Sequence, residues 1–156
     1  MAKSSKGSAP RFDEIGYWSE VKLDIVKEYA SAYTTILTKK GRFSFVYIDG
    51  FAGPGVHLKR RTQEFVPGSP LNALLVNPPF HEFFLVDLDG DKVDQLRSIP
   101  EVQNRPEVHV IQGDCNKVLR KDVFPRVRYE DFRRGLCLLD PYGLHLDWEV
   151  LATAGQ

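Results

Sequence analysis

Two rhythms of apolar and polar positions run along this chain. From about Ser19 to Thr38, Val21, Ile25, Tyr29, Ala32 and Ile36 recur at helical spacing, with Glu20, Asp24, Lys27 and Glu28 opposite them. Ser19 is placed to cap that helix and Gly41 to end it. The second rhythm is a set of four short, nearly continuous apolar runs: Phe43–Ile48, Phe83–Val86, Val108–Gln112 and Leu136–Leu139. Runs without alternation are expected of strands buried on both faces of a parallel sheet. Helical stretches are expected between and after them, over Ser69–Val76, Asp91–Ile99, Asn116–Val123 and Tyr129–Arg134. Ser69 is read as an N-cap, Pro70 as the first helical residue, and Asn77-Pro78-Pro79 as the stop. Strands alternating with helices predict an α/β domain with right-handed crossovers.

Each apolar run leads into an aspartate: Asp49, Asp87, Asp114 and Asp140. Ligands of open α/β sheets bind outside the carboxyl ends of the strands, so four carboxylates there are expected to converge on one crevice. A polyhydroxylated or cationic ligand would suit such a site. Helix capping is the competing use for any one of them, and Asp89 or Asp91 is expected to cap the helix that follows Asp87.

The first run continues as Asp49-Gly50-Phe51-Ala52-Gly53-Pro54-Gly55. Its glycines allow a sharp turn and a close approach of backbone to ligand. Two nucleotide fingerprints fail here. A G-x-G-x-x-G/A reading from Gly53 meets Leu58 where a small residue is needed, and no Gly-Lys-Ser/Thr is present. An acid followed by Phe-Ala-Gly-x-Gly resembles motif I of the class I S-adenosylmethionine-dependent methyltransferases. Asp87 is similar to their second-strand acid, which accepts from the ribose hydroxyls. Gly113-Asp114-Cys115 resembles the motif whose aspartate and following amide hold adenine. Asp140-Pro141-Tyr142-Gly143 is similar to the Asp/Asn-Pro-Pro-aromatic motif of amino-group methyltransferases, with one proline fewer and the aromatic one position early.

Over the chain after its tail, the sequence resembles the three-Cys-motif partner proteins (TcmP), a bacterial family with a methyltransferase-like core. The likeness runs through Phe12-Asp13-Glu14-Ile15-Gly16-Tyr17-Trp18-Ser19-Glu20, Gly68-Ser69-Pro70-Leu71-Asn72-Ala73-Leu74, Asp87-Leu88-Asp89-Gly90-Asp91-Lys92, Gly113-Asp114-Cys115-Asn116 and Leu138-Leu139-Asp140-Pro141-Tyr142-Gly143-Leu144. It implies a Rossmann-like, class I methyltransferase-like sheet with S-adenosylmethionine as cofactor. Asp49, Gly50, Phe51, Ala52, Gly53, Gly55, Asp87, Asp114 and Cys115 would hold the donor. Asp140 and the Pro141 carbonyl would accept hydrogen bonds from a target amine while Tyr142 stacks on a planar acceptor, a nucleic acid among the candidates. The family's partner is a three-cysteine-motif protein of the radical-type iron–sulfur kind. A non-catalytic docking role toward that protein is the alternative.

The chain has 156 residues, 21 basic and 21 acidic, which suits one domain and lacks the basic excess of a non-specific nucleic-acid binder. A local basic stretch does occur, with Lys117, Arg120, Lys121, Arg126, Arg128, Arg133 and Arg134 close together. It could track phosphates or be a solvated face. Residues 1–11 read as a flexible polar tail and 12–156 as the domain. Without a signal peptide or a long apolar run, a cytoplasmic, membrane-free protein is expected. Cys115 and Cys137 are read as reduced, buried thiols.

Asp87-x-Asp89-x-Asp91 invites a calcium reading, but Lys92 stands where that loop needs glycine and Ser98 where it needs glutamate, so no metal site is assigned. His109 is read as a core residue and His57 as a candidate ligand contact beside the glycine loop. The stretch 56–67, with Lys59, Arg60 and Arg61, is longer than such a loop needs and is read as a lid or a solvated insertion. Four strands against the seven of a class I methyltransferase sheet predict a domain truncated after its fourth strand, marginally stable, with Leu136–Leu139 left as an apolar edge.

Overall fold

The computed structural model describes residues 13–156; the expected tail lies outside them. In chain order the elements are β1 (Glu14–Ile15), α1 (Tyr17–Lys40), β2 (Ser44–Asp49), β3 (Val56–Lys59), β4 (Phe65–Pro67), α2 (Ser69–Leu74), β5 (Glu82–Asp87), α3 (Gly90–Arg97), β6 (Val108–Gln112), α4 (Cys115–Val118), β7 (Arg133–Leu138) and α5 (Trp148–Ala154). After α4 the chain widens into a π-turn over Leu119–Val123 and then tightens into a 3₁₀ turn over Phe124–Arg126. The fold is α/β.

All four apolar runs are strands of one parallel sheet, ordered β6-β5-β2-β7. From β2 the chain moves to β5 and β6 on one side, then returns to β7 on the other. The crevice between β2 and β7 is therefore where the direction of winding reverses. Alternate residues supply two cores, one on each face. Phe45, Tyr47, Phe83 and Leu85 pack with residues of α1, α2 and α3, while Val46, Ile48, Phe84 and Val86 pack with α4, the turn after it and Val150 of α5. Full burial of each such side chain contributes about 1.5–3 kcal/mol. Among the described residues β6 and β7 form the two edges of this sheet.

A second, small sheet stands where the sequence pattern predicts only a lid or a solvated insertion. β3 and β4 form an antiparallel hairpin, and β1 joins β3 in parallel, in the order β1-β3-β4. Residues 56–67 are thus mostly a hairpin that secures the segment entering α1. Lys59 adds an ion pair to Glu20 at 3.1 Å.

Three expectations about helices need correction. The cap of α1 is Gly16, whose carbonyl accepts from the Ser19 and Glu20 amides at 3.1 and 3.2 Å; Ser19 lies inside the helix. The inward face is the one bearing Leu23, Val26, Ala30, Tyr33, Thr34 and Leu37, whereas Ile25, Tyr29 and Ile36 are exposed. Tyr129–Arg134 is a turn and the start of β7: Arg128 holds Asp131, and Phe132 takes φ 55°, which a helix cannot accommodate. Gly41 ends α1 at φ 65° with its amide shared by the Leu37 and Thr38 carbonyls, as expected.

Candidate functional site

At the carboxyl ends of β2 and β7 lies a cavity of about 700 Å³. Its floor is the loop after β2, with Asp49, Phe51, Ala52 and Gly53. One wall is Leu138 to Tyr142 after β7; the other is β1 and the first turns of α1, with Ser19, Lys22, Leu23 and Val26. His57, Ser69 and Lys92 complete the lining. A second concavity of about 800 Å³ runs past Val108 and Val110 on the outer edge of β6. There Arg97 donates to the Val110 carbonyl and Arg105 holds Glu107, so both of its arginines are already engaged.

Asp49 is the most constrained group in the cavity. Oδ1 accepts from the Phe51 amide at 3.1 Å; Oδ2 accepts from the Tyr47 hydroxyl at 3.2 Å and the Ser69 hydroxyl at 2.5 Å. Burial pushes its carboxyl up to about 6, against the pull of those three hydrogen bonds. Burial and the neighbouring Asp49 charge raise the Tyr47 hydroxyl far enough that it remains a donor.

The other aspartates are placed differently from one another. Asp87 is buried and engaged: Gly53 N donates to Oδ2 at 2.8 Å and Asp89 N to Oδ1 at 2.9 Å. Asp114 caps α4 through the Asn116 amide at 3.0 Å. Asp89, not Asp91, caps α3, accepting from Asp91 N at 2.9 Å and Lys92 N at 3.4 Å. Asp140 is exposed at the cavity rim and pairs with Lys22 at 3.0 Å. The structure thus brings Asp49, Phe51, Ala52, Gly53, Asp140, Pro141 and Tyr142 to one cavity. Gly50, Gly55, Asp87, Asp114 and Cys115 lie behind or beside it.

The glycines have distinct reasons. Gly53 takes φ 67°, and a Cβ there would make only ordinary contacts, with His57 and the Tyr142 hydroxyl at 3.8 Å. A Cβ on Gly55, at φ 84°, would sit 2.6 Å from Ile99 Cδ1 and 2.7 Å from Leu96 Cδ1. On Gly50 it would meet Leu139 Cδ2 at 2.8 Å. Gly50 therefore makes room for Leu139 beyond β7 and Gly55 for α3 and Ile99 after it, while Gly53 is the glycine of the loop that lines the cavity.

Tyr142 arches over this loop. Lys92 reaches its hydroxyl at 3.4 Å and lies 4.8 Å from its ring centre, while the same ammonium pairs with Asp13 at 2.7 Å. His57 sits beneath, its pKa lowered by burial, so the ring is neutral near pH 7; its Nδ1 is buried without a protein partner. Of these residues the sequence marks His57 and Tyr142. Lys92, Lys22, Asp13 and Ser69 were missed as site residues: two are ordinary surface-type lysines in sequence, and Ser69 has the signature of a helix cap. The actual cap of α2 is Gly68, which frees the Ser69 hydroxyl for Asp49.

Other candidates resolve as structure. His109 bonds Glu82 at 2.8 Å and stacks on Phe84. In the basic stretch, Arg133 also binds Glu82, Arg128 binds Asp131, and Arg134 lies against the rings of Phe43 and Tyr129. Burial pushes the free thiols of Cys115 and Cys137 up to about 11 and about 12, so neither is a thiolate near neutrality. Among the described residues, no group of three or more His, Cys, Asp or Glu could hold a metal ion, and no helix is long and apolar enough to cross a membrane.

No family model and no curated protein matches the chain. Among solved structures it is similar to protein LPL1258 from Legionella pneumophila str. Philadelphia 1, family-model DUF519, with a TM-score of 0.51 at 18% identity. The match covers 77% of this chain and 56% of that one, so the chain spans little more than half the length of the protein it resembles. At that identity the likeness concerns fold alone, and what it supports is an α/β domain built on a mostly parallel sheet.

Proposed function

We propose that this chain is a Rossmann-like, methyltransferase-like domain of the three-Cys-motif partner type that binds S-adenosylmethionine at the carboxyl ends of β2 and β7. The observation that carries this reading is the position of the cavity. It lies where the winding of the sheet reverses, its floor is a glycine-bearing loop, and a buried carboxylate faces it. Its volume is in the range of small-molecule sites.

The residues fit the amino-acid and sulfonium end of the donor well. Asp49 suits a cationic group, and the backbone at Gly53 lines the same cavity. The nucleoside end is served less directly. Asp87 and Asp114 each hold a loop or helix amide, so their remaining lone pairs are what a ribose or adenine would use. Bound, the donor would supply an activated methyl group on a sulfonium. The chain's own work is then orientation. Asp140 and the Pro141 carbonyl would hold an acceptor amine, and Tyr142 would stack on a planar acceptor such as a nucleic-acid base. Tyr142 is 71% exposed at the rim, which leaves its outer face open for stacking.

A docking role toward a three-cysteine-motif protein is the second reading. The exposed stripe Trp18, Ile25, Tyr29 and Ile36 on α1 favours it, because a soluble surface of that kind is more apolar than a lone domain requires. Calorimetric titration with S-adenosylmethionine separates the two. Micromolar binding that is weakened at least tenfold by Asp49→Ala supports the donor site. No binding by the intact chain leaves the docking role and overturns the first reading.

A further inference from the structure

The three donors on Asp49 come from different places. The Phe51 amide and the Tyr47 hydroxyl belong to β2 and its loop and follow Asp49 wherever the strand puts it. Ser69 is delivered from elsewhere, through the hairpin. Gly68 N donates to the Gly55 carbonyl at 2.7 Å, and a Cβ on Gly68 would stand 2.9 Å from His57 Nε2 and 3.1 Å from that carbonyl. Only a glycine lets the chain leaving the hairpin pass this close to the loop. The next residue is Ser69, whose hydroxyl lands 2.5 Å from Asp49 Oδ2 and which itself lines the cavity.

We propose that Ser69 is a positioning residue of the ligand site: its hydroxyl fixes Asp49 as an oriented, ionised acceptor for the cationic amine of the bound ligand. This rests on the reading that the cavity takes a ligand bearing such an amine. A carboxylate accepting an O–H bond is stabilised in its charged form. Among the hydrogen bonds on Asp49, that from Ser69 is the strongest influence opposing desolvation, ahead of the Phe51 amide and the Tyr47 hydroxyl. The like charge of Asp87 on β5 works in the opposite direction. Cys137 on β7 faces Asp49 as a neutral thiol. Lys22 of α1, Asp13 just before β1, His57 of β3 and Lys92 of α3 line the same cavity, with Asp140 beyond β7. Lys22 and Lys92 are each already paired with a carboxylate, Asp140 and Asp13. Among the described residues no lysine pairs directly with Asp49, and its ionisation there depends on the hydrogen bonds.

The test reads Asp49 itself and then the ligand. Carboxyl carbon-13 titration of the unliganded chain should show the Asp49 midpoint rising by about one unit in Ser69→Ala, as loss of a hydrogen bond to the charged form demands. Ser69→Thr, which keeps the hydroxyl, should restore the original midpoint. S-adenosylmethionine affinity, measured by calorimetry, should then be about fivefold weaker in Ser69→Ala at pH 6 and within about 1.5-fold of the original at pH 7.5, because a one-unit shift empties the carboxylate only near its midpoint. A packing defect would weaken binding equally at both. If the alanine variant fails to fold, Ser69→Cys, nearly isosteric and a weak donor, takes its place. An unmoved Asp49 midpoint, or a loss of affinity that is uniform with pH, overturns the proposal. Absence of binding by the unaltered chain instead overturns the reading of the cavity, and the two failures are distinguishable because the carboxyl titration needs no ligand.

Discussion

The amide of Gly53 donates a 2.8 Å hydrogen bond to Oδ2 of Asp87, tying the loop after β2 to the end of β5. The second oxygen of the same carboxylate takes the Asp89 amide at 2.9 Å. Asp87 is thus the joint between two adjacent strand ends, and both partners are backbone groups that cannot turn away to water without opening a loop. Truncation to alanine leaves two poorly solvated amides, each costing about 1–3 kcal/mol. Asp87→Ala should therefore lose about 2–6 kcal/mol of unfolding free energy in urea. A variant as stable as the original would show that water replaces the carboxylate freely and would remove Asp87 from this structural role.

The glycines of that loop should separate backbone from packing effects. Gly53→Ala meets only the conformational penalty of φ 67°, about 1–2 kcal/mol, since nothing obstructs the new methyl. Gly55→Ala meets the same penalty at φ 84° and a methyl placed 2.6–2.7 Å from Ile99 and Leu96. Overpacking of that kind adds about 1–3 kcal/mol. Paired thermal melts should rank Gly55→Ala clearly below Gly53→Ala, and an equal loss in the two would contradict the packing of the loop against α3.

The parallel strands were legible because burial on both faces leaves a continuous apolar run, which few other structures produce. The phase of α1 was not. Two apolar stripes compete on that helix, and the one with more bulk, through Ile25, Tyr29 and Ile36, is the exposed one. The inward stripe owes its place to small residues: Ala30 and Thr34 are fully buried, and along this side α1 approaches α2 closely. Periodicity reports that a face is apolar; it does not report which of two faces a sheet will accept. The site was half legible. Asp49 and the glycine loop stand in sequence beside one another, whereas Ser69, Lys92 and Lys22 reach the cavity through the hairpin, α3 and α1, and no local pattern marks them. The two-residue strand β1 has no periodicity at all; it exists because β3 offers it an edge.

That phase of α1 has a direct consequence for mutagenesis. Ile25 is 60% exposed, so Ile25→Ser should change monomer stability by no more than about 0.5 kcal/mol, as surface substitutions do. Ala30 is wholly buried, and Ala30→Leu should cost about 1–3 kcal/mol by overpacking the core that it shares with α2 and the strands. Urea unfolding of the two variants checks the orientation. The opposite ranking would mean that the helix is rotated toward the stripe of larger residues.

The buried Asp49 sets how stability depends on pH. Its carboxyl stands at about 6 in the folded chain against an ordinary 3.8. The folded state therefore holds this proton more tightly than the unfolded state, and stability falls as pH rises from about 4 through 6. A difference of about two units corresponds to roughly 3 kcal/mol of folding free energy withdrawn above pH 7, at 1.36 kcal/mol per unit. Asp49→Asn carries no charge to bury, but with its oxygen kept on the Phe51 amide its nitrogen must face the hydroxyls of both Tyr47 and Ser69, which then have to turn from donor to acceptor, an exchange costing about 1 kcal/mol. The variant should be slightly less stable than the original at pH 4 and about 1–2 kcal/mol more stable above pH 7. Between these limits the two curves should cross, with the gap changing most steeply near the folded midpoint. Urea unfolding from pH 4 to pH 8 measures this directly. Parallel curves would mean that Asp49 titrates normally, as it could only if water reached the carboxyl through the cavity and the hydrogen bond from Ser69 held no advantage over solvent.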